Sequence, residues 1–259
     1  ACWNAAVKRS DDKLAIMVFI SVFGGLLFIP LIPLAPLPDA RTWGFIAASV
    51  CIHLVYQLSL SRALEIGELT FVYPIARGLG PFFVAIFSLI FLTGDLKATE
   101  FLAVMVLVTG ILVTMRTKGH PEGLAPALLT GSMIATYTLI DGFGIKQAAD
   151  PLTYIIWCGI TFAPVFFIYV RITRGTTFLI KSVRTWRHGL PAAVFAQGGY
   201  SLALYALSLG TIGEIAALRE TSIIFATLIG TFWLKEKLRA RQLFAIALIA
   251  TGAVSLKLF

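Results

Sequence analysis

Charge is scarce in this sequence: Asp, Glu, Lys and Arg together make up 13% of its 259 residues. A water-soluble domain carries about 25%, so this chain lacks the polar surface to cover itself in water. Cysteine is scarcer still. Cys2, Cys51 and Cys158 lie singly in apolar stretches without paired spacing. That excludes a disulfide framework and a zinc site, and leaves three small buried apolar side chains. Catalytic signatures are missing too: no GxSxG, HExxH, P-loop or strand-borne GxGxxG is present. Arg77-Gly78-Leu79-Gly80 is better explained by helix packing. The chain is therefore not read as an enzyme, and no cofactor or metal ion is expected. His53 has no ligating companion, since His120 and His188 both fall in loops.

What the chain has in abundance is apolar residues, 58% of the total, and its mean hydropathy is +0.90. They gather in continuous runs of roughly 18–24 residues, the length that crosses about 30 Å of hydrocarbon at 1.5 Å per residue. Continuous runs specify helices; a barrel would alternate polar with apolar. The net charge of +8 sits mainly between the runs. There it sets topology and faces anionic lipid, and nucleic acid is not expected as a partner.

The hydropathy pattern predicts spans at 14–35, 43–61, 69–92, 99–115, 123–145, 152–170, 189–208, 212–234 and 241–258. Ala1 to Val7 is apolar but too short to cross a bilayer, and no cleavable signal pattern precedes it. It reads as the tail of a first helix, giving nine complete helices plus a stub, ten in the intact protein. Pro30, Pro33, Pro36 and Pro38 close the first complete span, because proline cannot continue the helix ladder. Most connections are short and leave no room for a soluble domain. The exception is Arg171 to His188, expected to be a strongly basic loop.

The chain also repeats itself. Ala63-Leu64-Glu65-Ile66-Gly67 resembles Ala206-Leu207-Ser208-Leu209-Gly210 at an offset of 143. Arg77 and Arg219, Leu96-Lys97-Ala98 and Leu238-Arg239-Ala240, and Thr109-Gly110 and Thr251-Gly252 all match at 142. His53-x-x-Tyr56 lies opposite Gln197-x-x-Tyr200 at 144. The near-constant offset divides the chain into repeats 1–118 and 119–259. With five helices each, an odd number, the second repeat is inverted in the membrane relative to the first. Such inverted architecture puts substrate sites near the midplane, at the repeat interface.

These residues carry a family resemblance. Tyr205-Ala206-Leu207, Trp233-Leu234-Lys235-Glu236-Lys237-Leu238 and Ile246-Ala247-Leu248-Ile249-Ala250-Thr251-Gly252 resemble the second EamA domain of the drug/metabolite transporter superfamily. Residues 62–113 resemble the first, with Gly94-Asp95-Leu96 replacing the usual glutamate-containing turn, and Trp3-Asn4-Ala5-Ala6-Val7-Lys8 is similar to the end of the family's first helix. The resemblance implies an all-α, multi-pass membrane bundle of ten helices in two inverted five-helix repeats. It also implies transport of metabolites, amino acids or drugs, often outward, in the inner or plasma membrane, coupled to protons or to exchange.

Ionisable groups inside spans cost about 2.5–3.5 kcal/mol each on insertion scales, so each needs a reason. Arg77, Asp141, Arg219 and Glu220 lie well inside. The two arginines sit about 10–12 Å into their helices, and their planar fork suits carboxylate or phosphate. They either bind an anionic substrate group or form fixed ion pairs that hold helices together. Glu220 is the expected proton-coupled carboxylate. Asp141 shares a face with Tyr137, one turn away, beside Gly142 and Gly144, which allow close helix approach or a local break; near its helix end, Asp141 could equally be solvated. His53, Tyr56 and Gln57 form a polar face that Gln197, Tyr200 and Ser201 repeat. Both faces are read as lining a cavity, with interhelical hydrogen bonds as the alternative. Tyr73, one turn before Arg77 on a helix broken by Pro74 and Pro81, joins the cavity set, as does Asn4 in the stub.

The balance of Arg77 and Arg219 against Asp141 and Glu220 suggests a small polar or zwitterionic, amino-acid-like metabolite moved by alternating access. A passive channel or a non-transporting accessory membrane protein is the rival reading. The expected partners are a small-molecule substrate, the lipid bilayer and, as a candidate, a second copy of the chain. Fifteen Lys and Arg follow odd-numbered helices against four on the other side. The positive-inside rule puts the fifteen in the cytoplasm, whereas the resemblance implies cytoplasmic termini and the opposite arrangement.

Overall fold

The computed structural model describes residue 10 and residues 12–66, 69–91, 97–113, 121–222, 224 and 240–258. Among them the chain forms nine α-helices and no strand. They are α1 (Lys13–Leu26), α2 (Ala40–Ile66), α3 (Leu69–Phe91), α4 (Ala98–Val113), α5 (Leu124–Gln147), α6 (Pro151–Val183), α7 (Trp186–Leu209), α8 (Ile212–Leu218) and α9 (Ala240–Leu258). Five segments are long and apolar enough to cross a bilayer: Lys13–Leu34, Ala40–Ile66, Leu124–Gln147, Pro151–Val183 and Trp186–Leu209. Leu202 and Leu209 are over 70% exposed, which suits side chains that face lipid.

Short polar side chains start the helices by accepting orphan backbone N–H groups. Asp12 accepts from the Ala15 amide at 2.9 Å, and Asp39 from that of Thr42 at 2.9 Å. Asp150 accepts from the Thr153 amide at 3.1 Å, with Pro151 at the first helical position. Thr211 accepts from the Glu214 amide at 3.3 Å, where Glu214 also favours the positive helix end.

Two helices differ from the hydropathy reading. α1 stops at Leu26, and a 3₁₀ turn, Ile29–Leu34, completes the crossing; Pro30 and Pro33 lack the N–H that an α ladder needs. The basic stretch expected as a loop after residue 170 is helical as far as Val183. Pro151–Arg174 already measures about 36 Å at 1.5 Å per residue, more than the hydrocarbon thickness. Arg171, Arg174 and Lys181 therefore fall at or beyond the headgroup layer, where charge does not disfavour a helix. The axis breaks at Gly175, whose φ of 78° and ψ of 177° belong to glycine alone. Between Asp150 and Glu214 the sequence holds no acid. The carboxylate that meets this segment comes from α1: Lys181 donates to Asp12 at 2.7 Å. Burial pushes the Asp12 carboxyl up, but the Lys181 ammonium and the Ala15 and Leu14 amides more than offset this and hold it below the usual carboxylate range.

The chain packs as two compact units, each drawing helices from both sequence halves. Unit A is Arg62–Leu139 with Gly210–Phe259; unit B is Cys2–Ser61 with Ile140–Leu209, within the described residues. In unit A, α4 packs along α9 around Val104, Leu107, Ile111, Ile249 and Leu256. The duplicated glycines allow this approach. A Cβ on Gly110 would meet Leu248 Cβ and Ile249 Cγ1 at 2.9 Å, and one on Gly252 would meet the Ala103 carbonyl at 2.7 Å. The Thr-Gly pairs that match at an offset of 142 thus sit where α4 and α9 cross. In unit B, α1 packs on α6 and α7, with Gly24 under the Gln197 side chain and Gly25 against Ala163.

Candidate functional site

In unit A, α8 tightens at Arg219 into a 3₁₀ turn, Arg219–Thr221. A 3₁₀ turn has three residues per revolution, so Arg219 and Glu220 diverge, and the structure gives them different partners. Glu220 is buried and pairs with Arg77 of α3, Nε to Oε2 at 2.7 Å. Arg77 also donates to the Ser222 hydroxyl at 3.1 Å. Arg219 reaches α5, where it donates to Thr138 Oγ1 at 3.5 Å and lies within hydrogen-bonding reach of Tyr137. Two guanidinium groups thus share one carboxylate among the described intramembrane charges of this unit.

Glu220, the expected proton-coupled carboxylate, thus has a guanidinium beside it that favours its charged form, against the burial that disfavours it.

In unit B, Asp141 is 1% exposed and is held by two phenols. The Tyr154 hydroxyl donates to Oδ1 at 3.0 Å and that of Tyr200 to Oδ2 at 2.7 Å. The helix-end solvation open to it in the sequence is therefore not what it has. Gly144 permits the approach: a Cβ there would lie 2.5 Å from the Tyr154 ring. Beyond Tyr200 the contacts continue to Cys158 Sγ at 3.7 Å, from Cys158 to Ser49 Oγ at 3.9 Å, and from Ser49 to His53 Nδ1 at 3.2 Å. The His53 ring stands edge-on to that of Tyr200, centroids 5.2 Å apart, and to that of Tyr56 at 6.2 Å.

The structure thus joins Arg77 to Glu220, Arg219 to Tyr137, and His53 to Tyr56, Tyr200 and Asp141. Although one turn apart on α5, Tyr137 and Asp141 belong to different units and meet different partners. Gln57 accepts from Ser21 at 2.9 Å, and Gln197 packs over Gly24, so these two amides bind helices together. Asn4 and the Tyr73 side chain lie outside the described residues, as do Cys2 and residues 225–239. Cys158 is buried as expected. Cys51 is exposed on its helix, which corrects its reading as a buried side chain, since an apolar thiol can equally face lipid. No cluster of three potential metal ligands occurs among the described residues.

Sequence reading missed Tyr154, Cys158, Ser49, Thr138 and Ser222. Spacings of four, Tyr154 to Cys158 and Ser49 to His53, put each pair on one helix face and were the available signal.

None of the curated proteins matches the chain. A protein of known crystal structure is similar in fold, with a TM-score of 0.73 and 15% identity over 99% of this chain and 94% of that one. The EamA-like transporter family matches residues 122–257, just over half of the sequence. With its buried intramembrane charges and apolar helices, this multi-pass membrane protein belongs to the EamA-like transporter family, within the drug/metabolite transporter superfamily.

Proposed function

We propose that the protein is a secondary transporter that exports a small polar or zwitterionic, amino-acid-like metabolite across the inner (plasma) membrane by alternating access. The observation that carries this reading is the charge inventory of unit A. Glu220 is taken by Arg77 at 2.7 Å, while Arg219, the second guanidinium near that carboxylate, has Thr138 at 3.5 Å and Tyr137 as its hydrogen-bond partners among the described residues. A surplus cation inside a membrane span is costly, and a substrate carboxylate would relieve that cost by bidentate contact. Family membership supports transport in general; the substrate class rests on Arg219.

Counterflow tests the reading. Proteoliposomes preloaded with unlabelled amino acids are diluted into a trace of the labelled mixture. The wild type is expected to accumulate label transiently, which a passive channel does not do. Arg219→Gln is expected to cut that signal at least about tenfold, the loss of one charge-assisted contact of about 1.5–3 kcal/mol, with little change in thermal stability. Counterflow that survives Arg219→Gln undiminished refutes the role of Arg219, and absence of counterflow from the wild type refutes the amino-acid-like substrate.

A further inference from the structure

The basic stretch that ends α6 plays no part in binding the proposed substrate. Arg171, Arg174, Lys181, Arg184 and Arg187 fall in a run of sequence, Pro151 to Gly213, that holds no acid. Of these five, only Lys181 has an ion pair among the described residues, to Asp12. Arg174 lies 6.0 Å from the centre of the Phe178 ring, and Arg187 5.7 Å from that of Trp186. A ring contact attracts a guanidinium but does not neutralise it. Four exposed arginines therefore keep their charge without a carboxylate.

The segment past the break at Gly175 is held in place on one side. Leu179 and Ser182, three residues apart, are buried. Lys181 ties it to the start of α1 at 2.7 Å, and Gly189, just beyond it, closes on the Phe19 ring. Its outer face divides into two stripes. Thr176, Ile180 and Val183 share one, at spacings of four and three, and Thr177, Lys181 and Arg184 share the next. The apolar stripe is uncovered: Ile180 is 55% and Val183 61% exposed, and Trp186 follows at 52%.

Neither water nor hydrocarbon suits such a surface. Water leaves the apolar stripe and the indole unburied, and hydrocarbon disfavours every cation. The boundary between headgroups and acyl chains accommodates both, as it does for amphipathic helices that lie in the membrane plane. The segment is already there, because it continues from a helix that has used up the hydrocarbon thickness by Arg174. A zwitterionic headgroup brings its own cation to the phosphate. An anionic one brings none, so its phosphate is the better match for guanidinium donors.

We propose that the segment from Arg171 to Arg187 is a binding site for anionic phospholipid headgroups. Arg174, Arg184 and Arg187 hold the phosphates, while Ile180, Val183 and Trp186 lie among the first acyl carbons. The uncovered apolar stripe beside the cations selects a lipid phosphate over a free one. The site does not depend on what the protein carries.

Native mass spectrometry of the protein, released from micelles spiked with phosphatidylglycerol or phosphatidylcholine, tests the site. The wild type is expected to retain phosphatidylglycerol in preference. The triple variant Arg174→Gln/Arg184→Gln/Arg187→Gln should bind it more weakly by about fivefold for each charge removed, with phosphatidylcholine unaffected. Arg41→Gln/Lys146→Gln, which removes two exposed cations beside the start of α6 at the other end of unit B, should leave the preference intact. A preference that survives the triple variant, or falls equally in the Arg41/Lys146 control, overturns the proposal. Inorganic phosphate at equal concentration should leave the lipid bound; displacement by it would reveal a soluble-anion site and overturn the lipid assignment. Should the triple variant fail to fold, the wild type decides alone. Its preference must fall as salt is raised from about 0.05 M to about 0.5 M, and a preference indifferent to salt overturns the proposal.

Discussion

Breaking the Arg77–Glu220 pair should show which charge needs the other more. At 2.7 Å and an effective dielectric near 20, the gross attraction is about 6 kcal/mol. Desolvation of two groups with only 20% and 4% of their side chains exposed offsets much of that, so the net value of the pair is small. Removing one partner is another matter, costing about 3–5 kcal/mol, because a buried charge is left uncompensated. The neighbouring Arg219 makes the two removals unequal. Glu220→Gln strands Arg77 with a second guanidinium nearby, whereas Arg77→Gln leaves Glu220 beside Arg219. We therefore expect Glu220→Gln to be the more destabilising, near the top of that range, and Arg77→Gln nearer the bottom. The double variant should recover about 2–3 kcal/mol relative to the sum of the singles. Chemical unfolding of the protein in mixed micelles, run as a double-mutant cycle, measures all three values. Strict additivity, or the reverse order of the singles, would show that the two side chains do not neutralise each other.

Two other perturbations have definite expected outcomes. Gly252→Ala should cost about 1–3 kcal/mol by overpacking, because its Cβ would meet the Ala103 carbonyl at 2.7 Å and Leu107 Cβ at 2.8 Å. Gly198→Ala, with nothing within 4 Å, should be neutral or gain a few tenths of a kcal/mol from helix propensity; equal effects in a thermal-shift comparison would contradict the close crossing of α4 and α9. The Asp12 carboxyl is held below its ordinary range, so its contribution to stability is present above the unfolded value of about 3.9 and is lost as pH falls through the lower folded value. The difference in melting temperature between wild type and Asp12→Asn should be constant at neutral pH and shrink below about pH 4, and it should be small, under about 1 kcal/mol, because Lys181 is more than half exposed.

Much of the fold was legible because hydrocarbon imposes a length on each apolar run and a price on each charge within it. The offset of 142 pairs Gly110 with Gly252, and these two glycines lie where α4 and α9 cross. The continuation of α6 to Val183 was not legible, since Arg171, Arg174 and Lys181 read as a loop when hydropathy alone is the guide. Headgroup phosphate and water solvate such charges, while the backbone keeps its hydrogen bonds. Within the site, Arg77, Asp141 and Glu220 announced themselves as costly, but their partners did not. Glu220 finds Arg77 143 residues away, and Asp141 finds Tyr200 59 residues away. Distances between helices decide such pairings, and no local pattern in a single sequence encodes them. The sequence therefore named the carboxylates, whereas the guanidinium neighbour of Glu220 could be seen only in three dimensions.

The weaving of both sequence halves into each compact unit bears on what a half-length chain would lack. Cut between residues 118 and 119, the chain would yield one product with α1–α4 and another with α5–α9 among the described residues, and each would own only part of either packing core. α4 would be parted from α9, and α1 from α6 and α7. A half-length chain would have to find those surfaces on another molecule, so covalent continuity between the halves supplies each core with a partner held always at hand.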